Sequence, residues 1–240
     1  AGLDAALEGV DVAYYLVHSM GRGNGEDFAE RDRRAATGFG RAAARAGVAR
    51  VVYLGGLEGG DSVSEHLRSR HEVAELLRAA VPELVYVRAA MVVGAGSASF
   101  QILRGLVERL PVMITPKWLD TRSQPVAIGD VVRALAALAE LEPAPAEVQL
   151  GGADVLTYRE MLERCAHALG RRPPATVPVP FFTPRLSSYW VALVTPVELG
   201  LVKPLVAGLS AETVVRDAPP PGVNDAPLGF DDAVREALAA

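Results

Sequence analysis

One cysteine, Cys165, stands in 240 residues, so no disulfide can close within this chain. A lone thiol is ordinary for a cytoplasmic protein, and cytoplasm is the expected address. Cys165 falls inside a helical pattern and reads as packing rather than as a nucleophile. Four histidines, at 18, 66, 71 and 167, show no ligand spacing with one another or with that cysteine, so no metal site is expected. There is no G-x-S-x-G elbow, no Walker loop and no basic stripe interleaved with aromatics. A net charge of −5 gives no attraction for nucleic acid. The opening residues carry no basic region followed by an apolar core. One apolar stretch, Tyr189–Leu209, is long enough to raise the question of a membrane, but Pro196, Glu198, Lys203 and Pro204 interrupt it. No membrane span is expected there, and a pair of short helices broken at the prolines is.

What is present is a soluble-type composition, 50% hydrophobic and 22% charged. Two apolar runs organise it: VAYYLV within Val10–Ser19, and VVYLGGL within Arg50–Leu57. Neither alternates, and a helical pattern over Asp27–Ala46, stopped by Gly47, lies between them. That is how neighbouring strands of a parallel sheet buried on both faces read. Ligands of such sheets sit beyond the carboxyl ends of the strands, which puts His18–Ser19 and Gly55–Gly56 at the rim of the expected site.

The alternation continues. Ser62 and Glu65 have the form of a capping box for a helix over Ser64–Ala80. Leu84–Arg88 reads as the next strand, and Arg88 at its end either reaches the cleft or pairs with a carboxylate. The small-residue loop Gly94–Ser99 follows a strand and precedes a helix, Phe100–Leu110, the context a phosphate-binding turn requires. Val112–Thr115 has strand character. Asp130 is placed to cap a helix over Val131–Leu141. Prolines 143 and 145 mark a boundary, dividing the chain into residues 1–145, a partial cofactor-binding domain, and residues 146–240. After it come a strand, Glu147–Leu150, and a helix opened by a Thr157/Glu160 capping box. A proline-rich stretch beyond Arg171 then drapes over the site, and a helix over Phe230–Ala239 ends the chain. The fold class is α/β: a Rossmann-like parallel sheet with helices on both faces and a small C-terminal substrate-capping region.

The segments YYLVHS, RVVYLGGL, HLRSRHEVAELL, VRAAMVVGAGSASF and QPVAIGDVVRAL resemble, in order and spacing, the atypical short-chain dehydrogenase/reductases. Within these, the similarity is to NmrA-like NAD(P)-binding proteins of the bacterial SDR-family oxidoreductase subgroup. LPVMITPKW, TPRLSSYW and LVTPVELGLVKPLVAGL extend it over nearly the whole chain. The resemblance implies a sheet that begins with a strand and a T-G-x-x-G-x-x-G turn, which this sequence does not contain. Val12–Val17 aligns with the family's fourth strand, so the chain is either a piece of a longer product, the favoured reading, or a protein that has lost half of its cofactor site. Its first strand then presents an open apolar edge, to be covered by a second copy in a homo-oligomer or by its own later segments.

The resemblance also implies a cofactor, NADP or NAD, and a small organic substrate. The family's Tyr-x-x-x-Lys falls on His66 and Arg70, spaced to share a helix face. His66 is then the expected catalytic proton donor, and Arg70 the expected cofactor contact. The family's strand-end hydroxyl falls on Gly55–Gly56, which offer backbone only. His18 and Ser19 align where the family's backbone meets the adenine-side ribose, and Gly94 and Gly96 near the nicotinamide. With tyrosine, lysine and serine all replaced, turnover itself is open. The alternative is a non-catalytic NAD(P)-sensing regulatory protein, with Tyr189–Leu209 docking a protein partner.

Overall fold

The structure is a computed structural model, and it describes residues 2–19, 28–57, 65–115, 117–178, 202, 205, 206 and 208–240. The Ser62 capping position, Asp27 and most of Tyr189–Leu209 lie outside the described residues.

Four strands form a parallel sheet: β1 (Val12–Tyr15), β2 (Arg50–Gly56), β3 (Glu83–Ala89) and, much later in the chain, a strand over Glu147–Leu150, in that spatial order. Helix α1 (Gly2–Leu7) precedes β1, α2 (Phe28–Ala46) links β1 to β2, and α3 (Glu65–Arg78) links β2 to β3. The absence of alternation in the strand sequences has its expected cause. Tyr15, Val51, Tyr53, Leu84 and Tyr86 face one way, into a core with Leu7, Ala36, Ala43, Val73 and Leu77 of the three helices. Val52, Val85 and Val87 face the other way, against α5 (Ile128–Glu140) through Val131, Ala134, Leu135 and Leu138. Helices therefore cover both faces, and Val51 to Leu54 of β2 find apolar company whichever way they point.

Register places three tyrosines side by side, since Tyr15 pairs with Tyr53 and Tyr53 with Tyr86. The rings of Tyr53 and Tyr86 stack at 5.2 Å and 7°, and Tyr15 tilts against Tyr53 at 5.7 Å. Helix α2 ends where Gly47 takes a φ of +72°, a conformation that costs other residues steric strain.

Beyond the sheet, β4 (Val92–Val93) leads into α4 (Ala98–Arg109), then β5 (Val112–Thr115), a 3-10 turn over Lys117–Asp120, β6 (Arg122–Ser123), β7 (Val126–Ala127) and α5. The strand over Glu147–Leu150 is β8; β9 (Leu156–Thr157), α6 (Tyr158–Ala168), β10 (Ala175–Pro178) and α7 (Phe230–Ala239) follow. Strand β8, which opens the portion after the expected boundary, returns to the sheet beside β3. A separate core joins α4, α6 and α7 through Phe100, Leu103, Leu106, Met161, Leu162, Cys165, Phe230 and Val234. Cys165 is fully buried in it, and burial pushes its thiol up to about 12, which keeps it protonated and inert.

Local chemistry differs from expectation in three places. Asp130 does not cap α5: that helix begins three residues earlier than expected, at Ile128, with Ala127 at the N-cap and no side-chain bond. Asp130 is instead buried, where its carboxylate accepts the Leu228 backbone N–H at 2.9 Å and pairs with Arg133. The expected start of α4 at Phe100 moves to Ala98, because Ser97 caps it: its hydroxyl accepts from the Phe100 N–H at 3.4 Å and donates to the Val92 carbonyl at 2.7 Å. Strand β1 stops at Tyr15, short of the expected Val17. The Thr157/Glu160 box is formed in both directions and opens α6 as the spacing predicts.

Candidate functional site

A cavity of about 390 Å³ opens at the carboxyl ends of β1, β2 and β3, where Leu16, His18, Leu54, Gly55, Gly56, Ala89, Ala90 and Met91 line it. This is the crevice in which open α/β sheets hold ligands. Its far wall comes from the second core: Ile102, Leu103 and Leu106 of α4, Trp118, Tyr158 and Leu162, and Leu205, Val206 and Leu209. The wall is overwhelmingly apolar. Arg70 brings a positive charge, His18 an imidazole, and Ser97, Ser99 and Tyr158 hydroxyls; among the described lining residues there is no carboxylate and no lysine.

Arg70 is 9% exposed. It comes from the second turn of α3, and its Nη1 donates to the Leu54 carbonyl at 3.2 Å while its own carbonyl accepts the Tyr53 hydroxyl at 3.2 Å. These two bonds fix α3 against the end of β2, so the guanidinium is a positioned group. Asp32 of α2, 2% exposed, lies in the same neighbourhood. Its carboxylate accepts the Ser19 backbone N–H at 2.7 Å and the Ser69 hydroxyl at 3.5 Å. Burial, and then the Asp32 charge, push the Tyr15 phenol up to about 12. Burial raises the Tyr53 phenol too, against the opposing charge of Arg70.

Of the residues expected from sequence, His18, Gly55, Gly56 and Arg70 meet at this cavity. Ser19 stands beside it with its backbone N–H already committed to Asp32. Gly94 is buried against α5, where a Cβ would come 2.9 Å from Ile128 Cγ2, and Gly96 lies exposed in the loop; neither lines the cavity. His66 sits in the first turn of α3, one helical turn before Arg70, and its side chain lies outside the described residues. Arg88 makes its ion pair with Glu147 at 2.5 Å.

The residues that sequence reasoning missed are Asp32, Trp118 and Tyr158. Trp118 is buried at the cavity wall, edge-on to Tyr158 at 5.9 Å and 84°. Burial pushes the Tyr158 phenol up to about 12, and hydrogen bonds with Ser123 and Thr213 oppose the shift. No motif marks either aromatic. Asp32 stands on the buried side of α2 among Ala36, Gly40 and Ala43, and a charge at that spacing was the available signal.

Among the described residues no group of three or more His, Cys, Asp or Glu is placed to hold a metal ion. No described helix is long and apolar enough to cross a membrane.

No protein-family model matches the chain, and no curated protein matches it. Solved structures do. A protein named gox2253 superposes with a TM-score of 0.69 at 22% identity, over 99% of this chain and 80% of that one. A nucleoside-diphosphate-sugar epimerase from Staphylococcus aureus gives 0.72 at 16%, over 98% and 79%. The triphenylmethane reductase of Citrobacter sp. in complex with NADP(H) gives 0.73 at 15%, over 98% and 79%. At such identities the likeness establishes the fold, a Rossmann-like α/β sheet flanked by helices, of which this chain spans about four fifths of the neighbours' length.

Proposed function

We propose that this chain binds a nicotinamide dinucleotide, NADP or NAD, across the carboxyl ends of β1 to β3. We assign it to the NmrA-like atypical short-chain dehydrogenase/reductases, as an oxidoreductase acting on a small organic substrate. The observation that carries the reading is Arg70. A buried, positioned guanidinium lines a largely apolar cavity at the edge of the sheet where this fold holds ligands. Structural neighbours in complex with NADP(H), or with NAD and UDP-glucuronic acid, add to its support.

The residues present fit the nicotinamide-ribose end of such a cofactor. Arg70 retains an unpaired buried donor, Nε, among the described residues, suited to a ribose hydroxyl or a phosphate oxygen. Gly56 lets backbone approach without a side chain, and His18 lines the same cavity. The bound nicotinamide would supply hydride transfer. The protein's part is to exclude water with Leu54, Met91 and Leu106, to orient the ring, and to hold a proton at the imidazole of His66. The portion after residue 145 caps the site. A second copy of the chain would cover the outer edge of β1, where Tyr14, Leu16 and Val17 are exposed.

The test is calorimetric titration of the full chain with NADPH and with NADH, repeated with R70M. Micromolar binding that weakens about tenfold or more in R70M supports the reading. Absence of binding to either nucleotide overturns it. H66A must lower turnover across a carbonyl panel, or His66 is not the proton donor.

One observation favours a second reading, that of a non-catalytic NAD(P) sensor. The described cavity wall holds no carboxylate or lysine, and Tyr158 engages its hydroxyl with Ser123 and Thr213 instead. Cofactor binding without turnover, together with a 1:1 protein complex that forms only with NADPH, would decide for it.

A further inference from the structure

Two hydrogen-bond donors are stranded in the cavity wall. Among the described residues neither Nε of Arg70 nor Nε1 of Trp118 meets an acceptor, although both atoms are buried. Both side chains line the same cavity. Buried donors without partners are rare, because each forfeits the bond it made to water. Arg70 finds its acceptor in the cofactor on the reading above. Trp118 does not, because it belongs to the opposite wall.

That wall is built from Leu103, Leu106, Leu162 and Val206 around the indole, and none of these carries an acceptor side chain. Among the described residues the phenol beside it is that of Tyr158, and the two rings meet edge to face at 5.9 Å. Its hydroxyl is engaged by Ser123 and Thr213, which themselves share a 2.7 Å hydrogen bond. Trp118 as a whole is 7% exposed and held by packing, and among the described residues its indole N–H is a buried, unpaired donor on this mostly apolar side of the cavity. A neutral donor in such surroundings suits a neutral acceptor, since burying an anion there would go uncompensated.

We propose that Trp118 sets specificity at the substrate end of the cavity: its indole N–H takes an acceptor oxygen of an otherwise apolar ligand seated against Leu103, Leu106 and Val206. This rests on the reading of the cavity as a nicotinamide-dependent site. It adds what that reading lacks, a polar requirement on the substrate. Hydrocarbon of the right shape fills the space and leaves the donor unpaired; the oxygenated counterpart satisfies it.

The test compares acetophenone with cumene, two probes of one shape that differ in the acceptor. Both are titrated into the full chain with NADP present, followed by the indole N–H resonance of Trp118, which W118F assigns against Trp190. The expected result is acetophenone bound on the order of tenfold more tightly than cumene, with the Trp118 resonance moving downfield for the ketone alone. In W118F the preference falls to near unity while cumene and NADPH affinities hold, which also shows that the variant folds. Equal affinity for the two probes in the parent chain overturns the proposal. So does a Trp118 resonance that lies at a hydrogen-bonded position before any probe is added. If NADPH binds and neither probe does, the Trp118 assignment falls alone; if NADPH also fails to bind, the cofactor reading falls with it.

Discussion

The ring of Tyr86 occupies the space that a side chain on Gly55 would need. A Cβ at position 55 would stand 2.5 Å from Cε2 of Tyr86 and 2.9 Å from its phenolic oxygen. The ring has little room to yield, being 1% exposed and stacked flat on Tyr53. Gly55 at the strand end is thus a packing requirement, and the resemblance that puts a hydroxyl at this point meets a tyrosine instead. G55A should destabilise the fold by about 1–3 kcal/mol, and G55S by at least as much, read from the urea midpoint. Combining G55A with Y86L should recover part of the loss, because the pair is in contact and its effects do not add. An unchanged midpoint in G55A would show that Tyr86 moves freely.

Alkaline titration gives a second expectation. Burial holds the Tyr158 phenol near 12 against an ordinary 10.0, and the Cys165 thiol near 12 against 9.0. The unfolded chain therefore releases these protons first as pH rises, so it binds fewer protons than the native state and stability falls with pH. The loss begins near pH 9 with Cys165, steepens above 10 and ends near 12. For Tyr158 it amounts to about 2–3 kcal/mol when complete. Y158F gives up the bonds to Ser123 and Thr213, about 1 kcal/mol at neutral pH, yet its stability should decline less steeply between pH 10 and 12. Parallel curves for the two proteins would remove Tyr158 from the account.

Much of this fold was legible because it follows from local rules. Runs such as VVYL and LVYV have no alternation because β2 and β3 are buried on both faces, and the Thr157/Glu160 spacing states its own hydrogen bonds. Asp130 misled because capping and tertiary anchoring use the same residue type; only the arrival of Leu228, far along the chain, distinguishes them. The cavity was half legible. Its sheet side comes from strand ends that any parallel sheet aims at its ligand, whereas Trp118, Tyr158 and Val206 reach it from other elements of the chain. Proximity of that kind is a product of the second core, and no spacing encodes it.

Arg50 should prove the costliest polar residue to replace. Its side chain is 4% exposed, and its Nη1 donates to the carbonyls of Leu138, Ala139 and Leu141, at 3.2, 2.9 and 3.0 Å. Those are carbonyls at the end of α5, which the helix cannot satisfy itself. The partner carboxylates Glu83 and Glu142 are largely exposed and return to water when the guanidinium goes, so the carbonyls dominate the loss. R50K should cost about 2–4 kcal/mol, because one ammonium cannot reach all three carbonyls and both acids. E83Q and E142Q should each cost less than about 1 kcal/mol. Chemical denaturation of the three variants checks the order.

Asp32 joins the sheet to the mouth of the cavity and makes two separable predictions. Its carboxylate takes the Ser19 N–H at 2.7 Å, which fixes the backbone after β1 where Leu16 and His18 line the cavity. It also adds to the burial that holds the Tyr15 phenol near 12. D32A removes both effects. Residues 16–19 lose their anchor, so NADPH affinity should fall about tenfold, and Tyr15 should ionise at lower pH because an anion beside it has gone. D32N separates the two: the amide oxygen still accepts from Ser19, so affinity should stay within about threefold of the parent, while the charge is absent and Tyr15 still titrates early. Calorimetry reads the first effect and phenolate absorbance the second. If D32N weakened NADPH as much as D32A does, the charge of Asp32 rather than its hold on Ser19 would govern the site, and the anchoring argument would fail.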